Sequence, residues 1–332
     1  MKTSALKVLV CPSCKSELKL HAHHTSGAEI MDGNLRCSTC AQTYPIVRGV
    51  PRFVTDGSYA SSFGFEWNWF STVQLDSKNG THESEETLED TTGWTEADYK
   101  GAVVLDIGVG AGRFAEIVAN KGGEIFGIDL TAAVDAAYNN IGARDHVHII
   151  QANLFAMPFR KESFDLVYSI GVLHHTPDTK AAFDKAAEMV KPNGGLAVYL
   201  YDRYGISNHF SDMIRVVTTR LPLKVVFYLS TVAVPLYYLY RVPKLGSLCH
   251  IVFPISMHRN WRWRWLDTFD WYTPKHQWKL FYPNVHRWFR EQGFHSIRLG
   301  DEPIRMSARK KAQRQVIPDA RISEQIQSLA SS

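Results

Sequence analysis

From residue 102 to residue 201, short apolar runs alternate with segments of helical periodicity. Residues 102–107 (AVVLDI) are β-branched, nearly all apolar and run into glycines, the pattern of a strand buried on both faces of a parallel sheet. Residues 113–121 (RFAEIVANK) have helical spacing and stop at Gly122-Gly123. The pattern then predicts a strand at 124–130, a helix at 131–140, strands at 147–151 and 164–170, a helix at 179–190 and a strand at 196–201. Strands alternating with helices of this length predict an α/β fold on a doubly wound parallel sheet.

Beyond Tyr201 the alternation breaks. Residues 213–266 hold eight basic residues and no Asp or Glu, with two uncharged stretches, 225–240 and 245–258, flanking Arg241-Val-Pro-Lys244. A helix is expected again at 284–292, stopped at Gly293, followed by a closing hairpin at 295–299 and 304–309. Residues 202–283 therefore read as an insertion into the α/β domain. Upstream, residues 79–99 carry seven carboxylates and no Lys or Arg, which suits a solvated linker or the outer face of a helix. The chain thus divides into a small cysteine-bearing unit at 1–56, an aromatic and acidic linker or lid at 57–100, the α/β domain at 101–315 and a polar tail at 316–332.

Composition narrows the class. In 332 residues, 45% hydrophobic and 21% charged exclude a mainly disordered chain, and a net charge of +4 is too small to indicate a nucleic-acid partner. The apolar run within residues 1–10 is too short for a signal sequence, so a cytoplasmic protein is expected. Five cysteines are too few for a disulfide scaffold. Four of them form two C-x-x-C knuckles, Cys11/Cys14 and Cys37/Cys40, 22 residues apart. Two knuckles supply four thiolates to a closed tetrahedral site, so a structural Zn2+ is expected there. His21, His23 and His24 are competing ligands by type, although a histidine-rich loop is more often exposed, and Cys249 reads as a buried small hydrophobe. The segment after the second knuckle, Tyr44-Pro45-Ile46 followed by Gly49-Val50-Pro51-Arg52-Phe53, resembles the tail of the Trm112-like zinc-ribbon family. Such ribbons accompany methyltransferases, as separate partners or fused ahead of them.

The run Asp106-Ile107-Gly108-Val109-Gly110-Ala111-Gly112-Arg113 lies between a predicted strand and a predicted helix, where glycines let a ligand approach the backbone. A dinucleotide fingerprint would need glycine at position 113, which is Arg. The D-x-G-x-G-x-G pattern resembles motif I of class I S-adenosylmethionine-dependent methyltransferases. Three further segments resemble the type 11, UbiE-like members: 151–159 (QANLFAMPF), 164–175 (FDLVYSIGVLHH) and 191–195 (KPNGG). The resemblance implies a seven-stranded, Rossmann-like sheet with the zinc ribbon ahead of it and a helical insertion after strand five. It implies S-adenosylmethionine contacts from Asp106, Gly108, Gly110 and Gly112, from Asp129 to both ribose hydroxyls with Leu130 beside it, and from Asn153, Leu154 and Ser169. The family usually has Asp where this chain has Asn153.

A methyl acceptor whose nucleophile is O or N must lose a proton, and His174, His175, Tyr201 and Asp202 lie where strands four and five end. The Leu-His-His run also occurs in the family without a catalytic role. Residues 63–70 (FGFEWNWF) suit either a lid over the cofactor or an aromatic helix packed on the core. Residues 261–265 (WRWRW) read as a surface for an anionic or sugar-bearing acceptor, for bases or for a membrane interface, or as a strand with its Trp buried and its Arg exposed. The uncharged 225–240 stretch contains Pro235 and is shorter than a bilayer span. With its basic flanks it suits a monotopic membrane foot, a lid over a lipid-linked acceptor or a plain helical cap. The leading function is methyl transfer to a small-molecule, glycan or lipid-linked acceptor, by a cytoplasmic protein with a possible peripheral membrane contact through 213–266. An RNA methyltransferase and a non-catalytic zinc-ribbon adaptor are the alternatives.

Overall fold

The computed structural model describes residues 1–54, 61–204 and 207–312. The tail expected at 316–332 and the end of the 101–315 domain lie outside them. The first unit is a four-stranded antiparallel sheet of β1 (Leu18–Ser26), β2 (Glu29–Cys37), β3 (Thr43–Val47) and β4 (Val50–Pro51), in that order. Residues 57–100, expected to be linker or lid, carry four helices: α1 (Ser61–Trp69), α2 (Asp76–Asn79), α3 (Glu83–Thr92) and α4 (Glu96–Tyr99). In α3, Leu88, Thr91 and Thr92 are buried while Glu85, Glu86 and Glu89 face outward, so the carboxylate run is the outer face of a helix.

The α/β domain alternates as its pattern predicts: β5 (Val103–Ile107), α5 (Arg113–Asn120), β6 (Glu124–Asp129), α6 (Ala133–Ile141), β7 (Val147–Gln151), β8 (Phe164–Ile170), α7 (Thr179–Glu188) and β9 (Val190–Tyr199). β9 starts earlier than its apolar core because the Lys191–Gly195 turn is drawn into the strand as an irregularity. Asn193 adopts φ of +63°, and a Cβ on Gly194 would meet the Asp165 carbonyl at 2.7 Å. The insertion carries α8 (Ser207–Thr218), α9 (Leu223–Ser230), α10 (Ala233–Tyr240), α11 (Leu245–Val252) and α12 (Trp261–Tyr272), and after it come α13 (Tyr282–Glu291) and the hairpin β10 (Phe294–Leu299) with β11 (Arg305–Lys310). The seven strands run β10-β11-β9-β8-β5-β6-β7, with β5 to β9 parallel and β11 antiparallel to both β9 and β10.

The ribbon covers the sheet's β7 edge, which would otherwise present unpaired backbone groups. Arg52 bridges to Gln151, the Phe53 amide donates to the Gln151 carbonyl at 2.8 Å, and the Val10 amide donates to the Pro158 carbonyl at 2.9 Å. Leu9, Leu35 and Ile46 of the ribbon share one core with Phe126, Phe159 and Phe164 of the sheet domain, so the two units are one packed body.

The insertion forms a helical cap, and two expectations about it change. Residues 261–265 open helix α12 rather than a strand. Asn260 caps it, its side-chain oxygen accepting from the Arg262 and Trp263 amides at 2.9 and 3.4 Å. The period of 3.6 buries Trp263, Leu266, Phe269 and Tyr272 on one side and leaves Trp261 exposed. Arg264 is buried as well, donating to the carbonyls of Val234, His258 and Arg259. The apolar run Leu223–Tyr240 is 18 residues long but is broken at Thr231–Val232 into α9 and α10. Pro235 explains the break: its ring opposes a helical carbonyl at Thr231, whereas in the first turn of a new helix it is tolerated. Cys249 is half-buried on α11.

Candidate functional site

A cavity of about 330 Å³ opens where the strand order reverses between β5 and β8, the position at which doubly wound sheets bind ligands. Its floor is the glycine loop after β5. Gly108 and Gly110 adopt φ of +87° and +51°, and a Cβ on Gly108 would meet the Val172 side chain at 2.3 Å. The loop is held by the Gly108 and Val109 amides, which donate to the Ile128 carbonyl at 2.8 and 2.9 Å. Asp129 ends β6 at the cavity wall. Its Oδ1 accepts from the Thr131 amide and hydroxyl at 2.9 and 2.8 Å, and its Oδ2 accepts from the Gly110 amide at 3.2 Å. Burial raises its carboxyl above the ordinary range, so it gains from further donors in the cavity. Leu130 and Leu154 also line this end.

Four other residues expected to contact the cofactor serve the scaffold and do not line the cavity. Asp106 lies beneath the loop, accepts from the Tyr168 hydroxyl at 3.0 Å and is pushed up to about 8 by burial. Gly112 is the residue before α5, with φ of +94°. Asn153 caps a short 3-10 turn, accepting from the Phe155 amide at 2.9 Å. Ser169 is buried and donates to the Ile107 carbonyl at 2.8 Å.

The far end of the cavity is walled by β9, α12 and α1. His175 lines it, with Nδ1 2.9 Å from the His276 carbonyl oxygen and Nε2 unpartnered; burial lowers it to about 4, so the ring is neutral. Tyr201 lines it too and donates to Asp270 at 3.4 Å. His174 is fully buried behind Tyr201, its ring stacked on the phenol at 3.9 Å, and it does not reach the wall. Asp202 points away, accepting from the Tyr204 amide at 2.7 Å. The roof is α1: Trp67 ring atoms lie 3.2–3.4 Å from where a Cβ on Gly110 would sit, and Phe63 packs on His175 at 5.2 Å. The aromatic run thus lies over the glycine loop.

In the ribbon, the four sulfurs of Cys11, Cys14, Cys37 and Cys40 lie within 4.8 Å of one another, and all four cysteines are free of disulfides. Two of the separations are 3.6 Å (Cys11–Cys40) and 3.4 Å (Cys14–Cys37), near the roughly 3.8 Å edge of a tetrahedral Zn–S4 site. The Thr39 and Cys40 amides point at the Cys37 sulfur, which suits a thiolate held by a metal. These residues fit Zn2+, and the three histidines of β1 stand apart from the group.

Residues 105–198 match the family described as a methyltransferase domain, and residues 3–49 match the family of Trm112p-like proteins. The chain carries a methyltransferase domain behind a Trm112p-like ribbon. Phosphoethanolamine N-methyltransferase 2 of Caenorhabditis elegans is 34% identical to it over 116 residues, which are 32% of this chain and 26% of that one. A ubiquinone biosynthesis O-methyltransferase of Neisseria meningitidis serogroup C is 35% identical over 105 residues, 30% of this chain and 43% of that one. Among solved structures, a complex of the Haloferax volcanii Trm112 methyltransferase activator with a methyltransferase covers 71% of this chain and 77% of that one, with 13% identity and a TM-score of 0.43. The chain spans less than half the length of these curated relatives.

The methyltransferase domain supplies the glycine loop, Asp129 and, with His175, part of the far wall, but the acids of that wall come from outside the matched stretch. Glu66 on α1 and Asp267 and Asp270 on α12 line it. Sequence reasoning passed over all three. Asp267 and Asp270 share one helix face at a spacing of three residues, a signal visible only once 261–272 is read as a helix.

Proposed function

We propose that this chain transfers a methyl group from S-adenosylmethionine to an O or N of a small-molecule, glycan or lipid-linked acceptor. The observation that carries the reading is that a single cavity joins the glycine loop and Asp129 at one end to His175, Tyr201 and the α12 carboxylates at the other. When bound, S-adenosylmethionine supplies an activated sulfonium methyl. The work left to the protein is alignment, desolvation and removal of the acceptor's proton. Gly108, Gly110 and Asp129 would hold the cofactor, and Trp67 and Phe63 on α1 would keep water from the reacting centre. His175 lines the cavity and is neutral, with an unpartnered Nε2, which suits it to accept a proton from a hydroxyl acceptor.

Incubation with methyl-labelled S-adenosylmethionine and an extract of the source cell tests the reading. Label in small-molecule or organic-extractable fractions is expected. Label confined to RNA would replace the reading with base methylation, and failure to bind S-adenosylhomocysteine would remove it altogether.

We also propose that the cap rests peripherally on an anionic bilayer. Only 22% of the Leu223–Tyr240 stretch is buried. Met213, Val217, Tyr228, Tyr238 and Leu248 are each 60% or more exposed. Arg220, Lys224, Arg241 and Lys244 are exposed among them, and no acid lies within 213–266 to oppose a negative surface. Co-flotation with phosphatidylglycerol-containing vesicles that fades in salt and in Tyr228→Glu is expected. No flotation, or a concentration-dependent dimer buried on this face instead, overturns it.

A further inference from the structure

Opposite the glycine loop, the cavity gathers more buried carboxyl groups than the protein pairs. Asp267 receives Ser256 Oγ at 2.9 Å and Gln74 Nε2 at 3.4 Å, and it feels the buried Arg113 guanidinium. Asp270 has the Tyr201 hydroxyl at 3.4 Å and the field of Arg215, two of whose donors go to the Trp271 and Pro274 carbonyls. Glu66 is wholly buried, lines the cavity, and has no hydrogen-bond partner for either carboxylate oxygen. A buried carboxyl with neither oxygen satisfied is costly unless a ligand completes it. The other cationic lining residue, Arg305, is already paired with Asp90 and Glu302.

We infer that the acceptor is an amine, whose ammonium group is held by Glu66 and Asp270 and whose nitrogen takes the methyl group. This rests on the methyl-transfer reading of the same cavity. A divalent metal does not fit: among the described residues, only the four cysteines bring three or more ligand atoms within 4.8 Å of one another. The carboxyl groups of Glu66, Asp267 and Asp270 line one wall without gathering as ligands for a single ion. Trp67, Trp271, Phe63 and Tyr199 line the same space, and aromatic faces favour alkylammonium groups. The protein's part in the reaction follows. A carboxylate on this wall takes one proton from R–NH3+, leaving the free amine. The amine lone pair forms the new N–C bond to the methyl as the C–S bond breaks, its electron pair staying on sulfur. The sulfonium becomes a neutral thioether, and the positive charge passes to the N-methylammonium product, still facing the acids. Glu66, Asp267 and Asp270 are all raised by burial, Glu66 and Asp267 also by neighbouring carboxylates, and the two aspartates reach about 7, so the wall is poised to exchange protons near neutrality.

The test uses the full chain saturated with S-adenosylhomocysteine. Calorimetry compares n-propylamine, ethanolamine and 1,4-diaminobutane with 1-propanol, ethylene glycol and 1,4-butanediol. Amines are expected to bind about tenfold or more tighter than their matched alcohols, as one charge-assisted hydrogen bond gives. Buffer-dependent heats should show proton release from the wall. Glu66→Gln, which keeps the shape and removes the charge, should abolish both the preference and the release, with Asp270→Asn confirming it. Equal binding of amines and alcohols, or no binding by either, overturns the inference while leaving cofactor binding intact. Loss of S-adenosylhomocysteine binding by the wild type would instead strike at the methyl-transfer reading. If Glu66→Gln weakens S-adenosylmethionine but not S-adenosylhomocysteine, the acids serve the sulfonium and the amine assignment is wrong. Label from methyl-labelled S-adenosylmethionine found only in neutral ethers or esters overturns it as well.

Discussion

Asp129→Asn isolates the contact on which cofactor binding turns. Three of the roughly four acceptor directions of this carboxylate are used within the protein, by the Thr131 amide, the Thr131 hydroxyl and the Gly110 amide. What remains faces the cavity, where ribose hydroxyls would donate. In the variant, the two Thr131 donors at 2.9 and 2.8 Å hold the amide oxygen at the Oδ1 position. The amide nitrogen then replaces Oδ2 and opposes the Gly110 amide, which sat 3.2 Å from an acceptor. The variant therefore loses the charge, loosens the glycine loop and offers the ribose a donor in place of an acceptor. One charge-assisted hydrogen bond is worth about 1.5–3 kcal/mol, so affinity for S-adenosylhomocysteine should fall roughly tenfold to a hundredfold. Titration calorimetry reads it directly, with thermal melting to confirm the fold. There is a pH signature too. Burial holds the free carboxyl above its ordinary range, and donors from a ligand favour its ionised form. Wild-type affinity should thus rise as pH climbs through that raised value, and the Asn variant should lack the rise. A dissociation constant within about threefold of wild type, less than 1 kcal/mol, would show that the ribose does not sit on Asp129.

Elemental analysis should find a single zinc bound by the four cysteines. Because ribbon and sheet share one core, stripping zinc with a strong chelator, or Cys37→Ser, should lower the melting transition of the whole body; an unshifted transition would refute that coupling. Trp67→Ala uncovers Gly110 and should speed S-adenosylhomocysteine release in stopped flow, while removing most of the ligand-induced change in tryptophan fluorescence; unchanged release would mean α1 is not a lid. Asp106 is held at about 8, far above an unfolded carboxyl, so its contribution to stability is full in acid and is lost as pH rises toward 8. Asp106→Asn should be near neutral at acid pH and gain on wild type by up to about 1.4 kcal/mol per pH unit above about 4, read by urea melts. A gain independent of pH would place the carboxyl at an ordinary pKa.

The local pattern alone carried the domain's framework. Residues 147–151 and 164–170 are the observed strands β7 and β8, and Gly122-Gly123 ends α5, because strands buried on both faces and glycine stops are written in consecutive residues. The zinc knuckles and the glycine loop were legible for the same reason: their chemistry needs short, fixed spacings. At position 153 the structure adds what the motif does not say: Asn153 caps its own turn and stands outside the cavity lining. Residues 261–265 show another, because alternating Trp and Arg suits a strand until the Asn260 cap and the burial of Trp263, Leu266 and Phe269 impose a helix. Tertiary structure alone decided the acids of the far wall. Glu66 and Asp270 are 204 positions apart, and nothing local to either marks it as facing the other. Packing the cap over the sheet put both at one cavity, and burial there raised both carboxyls and left Glu66 without a partner.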